Sequence, residues 1–329
     1  MPSPKLSELR TVTGVAKVLG CTAGDLDAIA STTDQRQFYT RLRIPKKSRK
    51  SRGHFRTVYQ ADQRLALIQK NVATWIAKHV EFPEYVQGFV QKRSIVTNAR
   101  IHLGQHTLLH ADIKDFFDSI TVDQVDEALR ALGCTPPVAN TLARVCTLNG
   151  QLPQGSSASP ILANLVCRYL DTDLNTLAAA NHCKYSRYAD DITISGDQVP
   201  AGGEVETVLK RHGFLTRNDK CRIQRRGRSQ YVTGLTVVDK TSPRVPRLMK
   251  RRLRLELHYA ERYGVESHLE HIGSEDTPER AVSRLEGWMR FIYSVEGNAR
   301  KRLYEKCLRV KNQVNGQPAG DDYEDGQES

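Results

Sequence analysis

Long apolar runs and paired cysteines are both missing from this chain of 329 residues. No stretch stays apolar over the roughly 20 residues that a membrane-spanning helix requires, and the first residues lack the apolar core of a signal peptide. The seven cysteines are scattered and odd in number, with no Cys-x-x-Cys pair, which argues against a disulfide framework and a zinc ribbon. No internal repeat is found. These absences favour a cytoplasmic protein without a membrane partner.

Positive charge is what the chain has in excess. Its 49 Lys and Arg residues against 37 Asp and Glu give a formal net charge of +12, which favours a polyanionic partner such as nucleic acid. The densest basic stretch is residues 44–56, IPKKSRKSRGHFR. This stretch is compatible with a solvated loop or with a hairpin that faces phosphates.

The chain is long enough for two or three subdomains. Residues 1–40 are predicted to form a helical cap. Residues 61–80 carry five apolar side chains at helical spacing, which predicts a helix facing the core: Leu65, Ile68, Val72, Trp75 and Ile76. A strand-rich region with interspersed helices follows, to about residue 238.

Pro243 and Pro246 mark a boundary. Residues 247–312 are predicted to be mostly helical, and they begin with a cationic face. The last ten residues hold five acids and almost nothing apolar. We therefore expect the tail at 315–329 to be disordered.

Two adjacent acids, Asp190 and Asp191, follow Tyr188 between strand-like runs at 184–187 and 192–195. A third acid, Asp112, ends another strand-like run. Three carboxylates at strand ends can hold two divalent cations, as nucleotidyl-transfer chemistry requires. Taken alone, the Asp190–Asp191 pair is equally compatible with a solvated hairpin turn, where Asp is common.

Two helix starts lie near these acids. Thr121 and Gln124 predict a capping box for a helix that Gly133 ends. Ser159 is predicted to cap a second helix, with Pro160 at its first position.

The loop before that second helix contains Gln154 and Gly155. Gly155 allows backbone to approach a ligand closely, and Gln154 could lie against a flat base or sugar. A helix-entry loop without a ligand is the alternative.

Four strings in this order resemble the fingers–palm motifs of reverse transcriptases: DIKDFFD at 112–118, LPQGSSASP at 152–160, YADD at 188–191 and GFLTRNDK at 213–220. The resemblance covers roughly residues 36–300. Two further strings, NARIH at 98–102 and VTG at 232–234, match signatures of bacterial retron reverse transcriptases. The implied fold is α+β. It is a right-hand polymerase with fingers and palm over 41–238, built from an antiparallel sheet plus helices, and a small helical thumb over 239–314.

The resemblance also implies roles for particular residues. The metal site, for two Mg²⁺ ions, consists of Asp112, Ile113, Asp190 and Asp191. The nucleotide site consists of Arg56 with Lys46 or Lys47, Asp115, Phe116, Phe117, Gln154, Gly155 and Lys220. Phe117 takes the position of the aromatic gate that crowds a ribose 2′-OH, and Lys220 takes that of the lysine beside departing pyrophosphate. A solvated Lys is the alternative for Lys220, and a core Phe is the alternative for one member of the Phe116–Phe117 pair.

RNA-binding residues are implied in two places. Asn98 and His102 belong to a retron-specific surface near the RNA, with a structural histidine as the alternative. The cationic thumb face contacts duplex phosphates through Arg247, Lys250, Arg251 and Arg254. A zinc site formed by His102, His106 and His110 is disfavoured because Gly104 breaks the helix that would align them.

The implied function is RNA-directed DNA synthesis from dNTPs on a dedicated structured noncoding RNA. Priming from an internal 2′-OH gives branched RNA-linked single-stranded DNA (msDNA), in anti-phage defence with a separate effector protein. Two alternatives remain. One is another bacterial reverse transcriptase, group II intron-like or CRISPR-associated. The other is a catalytically silent RNA-binding module, which would have no need of three clustered acids that repel RNA.

Overall fold

The computed structural model describes residues 10–45, 55–217, 221–297 and 301–314. Lys46, Lys47, Lys220 and the acidic tail at 315–329 lie outside the described residues, so the expectations for them stay predictions. The chain divides into two units, Met1–Arg228 and Ser229–Ser329. The division comes earlier than the boundary predicted after residue 238.

Helices of the first unit precede its strands and lie between them in the chain. They are α1 (Val12–Leu19), α2 (Ala23–Ser31), a 3₁₀ turn (Gln35–Phe38), α3 (Gln63–His79), α4 (Ile95–Ile101), α5 (Val122–Ala131), α6 (Pro136–Cys146), α7 (Ser159–Val166), α8 (Arg168–Ala180) and α9 (Gly202–Arg211). The strands are β1 (Tyr39–Pro45), β2 (Phe55–Ala61), β3 (Thr107–Asp112), β4 (Lys184–Tyr188), β5 (Asp191–Gly196) and β6 (Arg222–Arg225).

A four-stranded antiparallel sheet with the order β4-β5-β3-β6 forms the centre of this unit. β3 is buried over most of its length and becomes partly exposed at Asp112. The strand-like runs that the sequence predicts on either side of Tyr188-Ala-Asp-Asp are β4 and β5, joined by that turn. Both inner strands therefore deliver an acid to the same edge of the sheet.

Helix α3 confirms the expectation for residues 61–80. All five predicted apolar side chains are buried in the core of the first unit, and Asp62 caps the helix by accepting from the N–H of Leu65. Helices α1 and α2 contribute to the same core through Val15, Leu19 and Leu26.

The capping box of α5 is confirmed, since the side chains of Thr121 and Gln124 each accept from the other residue's backbone N–H. The predicted cap of α7 is wrong. Ala158 is its N-cap and Ser159 already lies inside the helix. The Ser159 hydroxyl instead donates to the carbonyl of Pro153 over 2.8 Å.

The second unit consists of a two-stranded hairpin followed by helices. Its elements are β7 (Tyr231–Val232), β8 (Leu235–Thr236), α10 (Arg247–Tyr263), α11 (Val265–His271), α12 (Pro278–Glu296) and α13 (Lys301–Val314). Among the helices that the structure describes, none combines the length and the apolar character that crossing a membrane would need.

Candidate active site

The three predicted aspartates lie at one edge of the sheet. Asp112, the last residue of β3, pairs in register with Asp191, the first residue of β5. Asp190 belongs to the two-residue turn that joins β4 to β5, because Tyr188 pairs with Asp191. The backbone N–H of Ile113 donates to the carbonyl of Asp190 over 3.0 Å. This hydrogen bond ties the turn to the end of β3.

Burial, together with the charge of neighbouring carboxylates, raises the pKa values of two of these acids, Asp191 and Asp112. Asp191 keeps exposed surface as a residue. Desolvation by the surrounding protein, and then the charges of Asp190 and Asp112, nevertheless raise the pKa of its carboxyl to about 6. Burial and the charge of Asp190 also raise the pKa of Asp112. In both groups desolvation is the larger cause, and the charges of the neighbouring acids add to it.

No group of three His, Cys, Asp or Glu side chains within the described residues is arranged as a ready-formed ion site. Oδ1 of Asp112 is nevertheless a buried oxygen with no hydrogen-bond partner in the part of the chain that the structure describes. The donors at this edge are carboxylate oxygens, which suit Mg²⁺, an ion that keeps waters and substrate phosphates as further ligands. These residues therefore fit a divalent cation that is bound partly by its substrate.

Arg217 is a member of the site that the sequence analysis did not single out. Its Nε lies 3.2 Å from Oδ1 of Asp112, and its Nη2 lies 3.9 Å from Oδ2 of Asp190. The guanidinium opposes the rise in the pKa values of Asp112 and Asp191. Its position within the GFLTRNDK string was the only signal in the sequence.

A cavity of about 670 Å³ opens beside the aspartates. Its lining brings together Asp190 and Arg217 with most of the predicted nucleotide-binding residues: Arg56, Asp115, Phe116, Phe117 and Gln154. Arg56 is an exposed cation on β2. The cavity therefore has an acidic edge and a basic side, as a metal-bound triphosphate requires.

The two adjacent phenylalanines have different surroundings. Phe116 is buried, and its ring centroid lies 6.4 Å from that of Phe214 in the core. Phe117 is partly buried, and its centroid lies 6.0 Å from that of Phe89, another residue of the cavity lining. The core alternative thus applies to Phe116, and Phe117 is the less buried of the two rings that line the cavity.

Gln154 and Gly155 form a wall against the β1–β2 hairpin. The N–H of Tyr59 donates to the carbonyl of Gln154 over 2.7 Å. Gly155 has φ +116°, and a Cβ at this position would lie 2.6 Å from the carbonyl oxygen of Tyr59. Because any side chain would collide with backbone there, glycine is required for the hairpin to pack on this loop.

A sequence model of the family described as reverse transcriptase (RNA-dependent DNA polymerase) matches residues 44–244. The chain belongs to this family. The match contains the three aspartates and every residue that lines the cavity. It also confirms the predicted α+β polymerase fold and the enzyme class, an RNA-directed DNA polymerase.

Similar proteins confirm the retron type. Retron Mx65 reverse transcriptase of Myxococcus xanthus is 35% identical over 288 residues, covering 80% of this chain and 66% of that protein. Retron Ec86 reverse transcriptase of Escherichia coli is 28% identical over 267 residues, covering 80% of this chain and 79% of that protein. The present chain thus spans about two thirds of the first relative and somewhat more of the second.

The Asn-Ala-x-x-His signature of this reverse transcriptase is a buried network. The side chains of Asn98 and His102 are 1% and 0% exposed, so the expectation that they face RNA is wrong and the structural alternative holds. Ser186 Oγ donates to Asn98 Oδ1 over 2.6 Å. The Ser186 hydroxyl has only this one hydrogen to donate. Nε2 of His102 must therefore donate to Ser186 Oγ, at 2.8 Å. Nδ1 then accepts from Ser195 Oγ, at 2.6 Å.

The network fixes both the charge and the tautomer of His102. Burial lowers its pKa to about 3, so the ring is neutral at physiological pH, with its hydrogen on Nε2. Ser186 lies on β4 and Ser195 on β5. The signature thus fastens the end of α4 to the two strands that present Asp190 and Asp191.

The Val-Thr-Gly signature forms the β7–β8 turn. Val232 pairs with Leu235, and the two residues between them, Thr233 and Gly234, have φ values of +45° and +83°. Two positive φ values in a two-residue hairpin loop define a type I′ turn. A β-branched residue is rarely found in this conformation, so Thr233 is held there by its surroundings.

The cationic thumb helix is α10. Arg247, Arg251 and Arg254 are exposed on it, as the RNA-binding expectation requires. Lys250 does not meet that expectation, because its side chain is buried and its Nζ lies 2.6 Å from Oε1 of Glu296. The ion pair fastens α10 to the end of α12 and leaves no amine for phosphate.

Proposed function

We propose that this chain is the polymerase of a retron, copying a dedicated structured noncoding RNA into single-stranded DNA. The observation that supports this best is the position of Asp112, Asp190 and Asp191 beside a cavity lined by Arg56, Phe117 and Gln154. Retron reverse transcriptases are also the relatives that the chain resembles over most of its length.

Asp112, Asp190 and Asp191 would hold two Mg²⁺ ions, with Ile113 fixing the turn through its backbone. Bound there, Mg²⁺ would lower the pKa of the primer hydroxyl and neutralise the triphosphate. Oδ1 of Asp112 is buried and accepts no hydrogen bond from the described residues. The cation beside it, Arg217, is an exposed side chain that a metal ion can displace, which favours this role.

The remaining residues of the site would select and orient the nucleotide. Arg56 is placed to bind triphosphate oxygens through charge-assisted hydrogen bonds. Asp115 has φ +47° and lies where its loop lines the cavity, so backbone N–H groups of this turn can face the phosphates. Phe117 would exclude a 2′-OH by contact with the sugar, and Gln154 would pack along the base and sugar. Tyr188 would support the primer terminus.

The partner RNA would serve as template and primer. Synthesis would start from the 2′-OH of an internal guanosine and yield branched RNA-linked DNA, msDNA. Exposed Arg247, Arg251 and Arg254 on α10 would contact duplex phosphates. By family analogy the system would act in the cytoplasm in anti-phage defence, together with a separate effector protein.

The test is expression of the chain with its adjacent noncoding RNA, purification of the complex and sequencing of the nucleic acid that accompanies it. We expect DNA joined to RNA through a branch that resists RNase and is opened by a 2′,5′-debranching enzyme. Asp190→Asn should abolish the DNA and retain the RNA. Linear cDNA without a branch would instead indicate a group II intron-like or CRISPR-associated enzyme. RNA without any DNA from the unmodified chain would indicate a silent RNA-binding module.

A further inference from the structure

Arg187 is the residue immediately before the Tyr188-Ala-Asp-Asp turn. It forms an ion pair with Asp171 inside the first unit. Arg187 is 0% and Asp171 1% exposed. Nε of Arg187 donates to Oδ1 of Asp171 and Nη2 donates to Oδ2, both over 2.7 Å. The hydroxyl of Tyr185 donates to the same Oδ1, again over 2.7 Å. Both carboxylate oxygens are thus satisfied, and the guanidinium is held in one orientation.

The same guanidinium has a third hydrogen bond, which reaches the catalytic turn. Nη1 of Arg187 donates to the carbonyl oxygen of Ala189 over 3.1 Å. Ala189 has φ +58°, a left-handed conformation that disfavours residues with a Cβ. Since Ala189 and Asp190 are the two residues of the turn, the orientation of this carbonyl determines where the carboxylate of Asp190 is presented.

A backbone contact closes the other side of the turn. Gly88 approaches Ala189 so closely that a Cβ on it would lie 2.3 Å from the Ala189 nitrogen. Gly88 is held in place by its own N–H, which donates to the carbonyl of Arg187 over 3.3 Å, and by Asn164 Nδ2, which donates to the Gly88 carbonyl over 2.9 Å. The turn is therefore confined between this glycine and the Arg187 side chain.

Stability alone does not account for such a pair. Two charges removed from water cost free energy that their attraction barely offsets, and an apolar replacement of similar volume is often as stable. An apolar pair would provide no donor for the Ala189 carbonyl. Lysine would not either, because its ammonium group lacks the planar fork that spans the carboxylate and a further acceptor at once.

We propose that Arg187, oriented by Asp171, is a positioning residue that holds the strained turn and so determines the affinity of Asp190 and Asp191 for divalent cations. The proposal rests on the polymerase site described above and adds to it a buried residue that touches neither metal nor nucleotide. Loss of an interaction that orients metal ligands typically weakens metal affinity or activity by about 10- to 100-fold.

The decisive variant makes the side chains of the whole cluster apolar: Arg187→Met, Asp171→Leu and Tyr185→Phe together. No buried side-chain polar group of the cluster is then left without a partner, and the Ala189 carbonyl loses the donor whose role is tested. We expect this triple variant to fold with a Tm close to that of the unmodified chain. Its affinity for Mn²⁺, measured by electron paramagnetic resonance, should fall by about tenfold or more. Arg187→Lys should show the same loss of affinity while it retains the charge.

Val125→Ala, a cavity-forming change in the core of α5, is the control for general destabilisation. It should lower the Tm and leave the Mn²⁺ affinity unchanged. Wild-type Mn²⁺ affinity in the triple variant or in Arg187→Lys would overturn the proposal and leave the pair a purely structural role.

Mn²⁺ binding is measured without RNA or dNTPs, so its outcome is separate from the proposed retron function. Primer extension provides the second readout. The Mg²⁺ concentration at half-maximal rate should rise in Arg187→Lys, while the KM for dNTP should change little. An unfolded triple variant would also count against the proposal, because it would show that the pair is needed for folding itself.

Discussion

Nε of Arg217 lies 3.2 Å from Oδ1 of Asp112, the buried oxygen that has no hydrogen-bond partner among the described residues. The guanidinium therefore supplies positive charge at the edge where we propose that the metal ions bind. It is an exposed side chain and can leave when a better cation enters. Arg217 also lines the cavity beside the aspartates. We therefore expect its guanidinium to contact the triphosphate oxygens of a bound nucleotide.

Replacing Arg217 should therefore have opposite effects on metal and nucleotide. We expect Arg217→Gln to bind Mn²⁺ about two- to fivefold more tightly in the absence of substrate, the range that an exposed ion pair represents. The KM for dNTP should rise. Arg211→Gln removes another exposed arginine, one that pairs with Asp173, and should change neither quantity. Weaker Mn²⁺ binding by Arg217→Gln would show that the guanidinium stabilises the loaded site instead of competing for it.

Metal affinity should fall in mild acid. The pKa of Asp191 is raised to about 6, so its carboxyl is ionised near neutral pH and mostly protonated at about pH 5. A divalent cation must displace that proton, and its affinity decreases as the pH falls through this window. Calorimetric titrations at about pH 7.5 and pH 5.5 measure the change. At the lower pH the binding enthalpy should depend on the buffer, because a proton is released. Equal affinities at both pH values would contradict the assignment.

The sugar gate predicts a change in nucleotide selection. Both rings line the cavity, but Phe116 is buried in the core and Phe117 is only partly buried. Phe117→Ala should raise the use of ribonucleotides relative to deoxynucleotides by about tenfold or more, since a steric clash is removed. Single-nucleotide extension with dGTP and GTP measures the ratio. Phe116→Leu should lower stability and leave the ratio unchanged. Unaltered discrimination in Phe117→Ala would assign the gate to another residue.

The sequence predicted the features that depend on residues close together in the chain, such as strand ends, helix caps and buried helix faces. Asp112 and the Tyr-Ala-Asp-Asp turn could be placed at strand ends because apolar runs stop there. The capping box of α5 and the buried face of α3 follow from spacing alone. Ser159 was misplaced by one residue, since the helix already begins at Ser159 with Ala158 as its N-cap.

Long-range partners explain what the sequence did not reveal. Arg187 donates its hydrogen bonds to Asp171, which lies on α8. The two acids near Arg217, Asp112 and Asp190, come from two other parts of the chain. The Asn-Ala-x-x-His string does not show which face of α4 it occupies, so Asn98 and His102 were expected at the surface. For Lys250 a signal was present, because it lies at helical spacing with the buried Leu253 and Leu257.

The exposed arginines of α10 and its buried Lys250 should therefore contribute differently to RNA binding. Arg251→Gln removes an exposed charge, and it should lower RNA affinity and reduce the slope of log affinity against log salt by about one. Lys250→Met removes a buried ammonium group that lies 2.6 Å from Oε1 of Glu296. It should lower the free energy of unfolding by about 3 kcal/mol or more and leave the salt slope unchanged in the folded fraction. Fluorescence anisotropy over a salt series, combined with thermal unfolding, separates the two effects. A reduced slope for Lys250→Met would place that amine on the RNA after all.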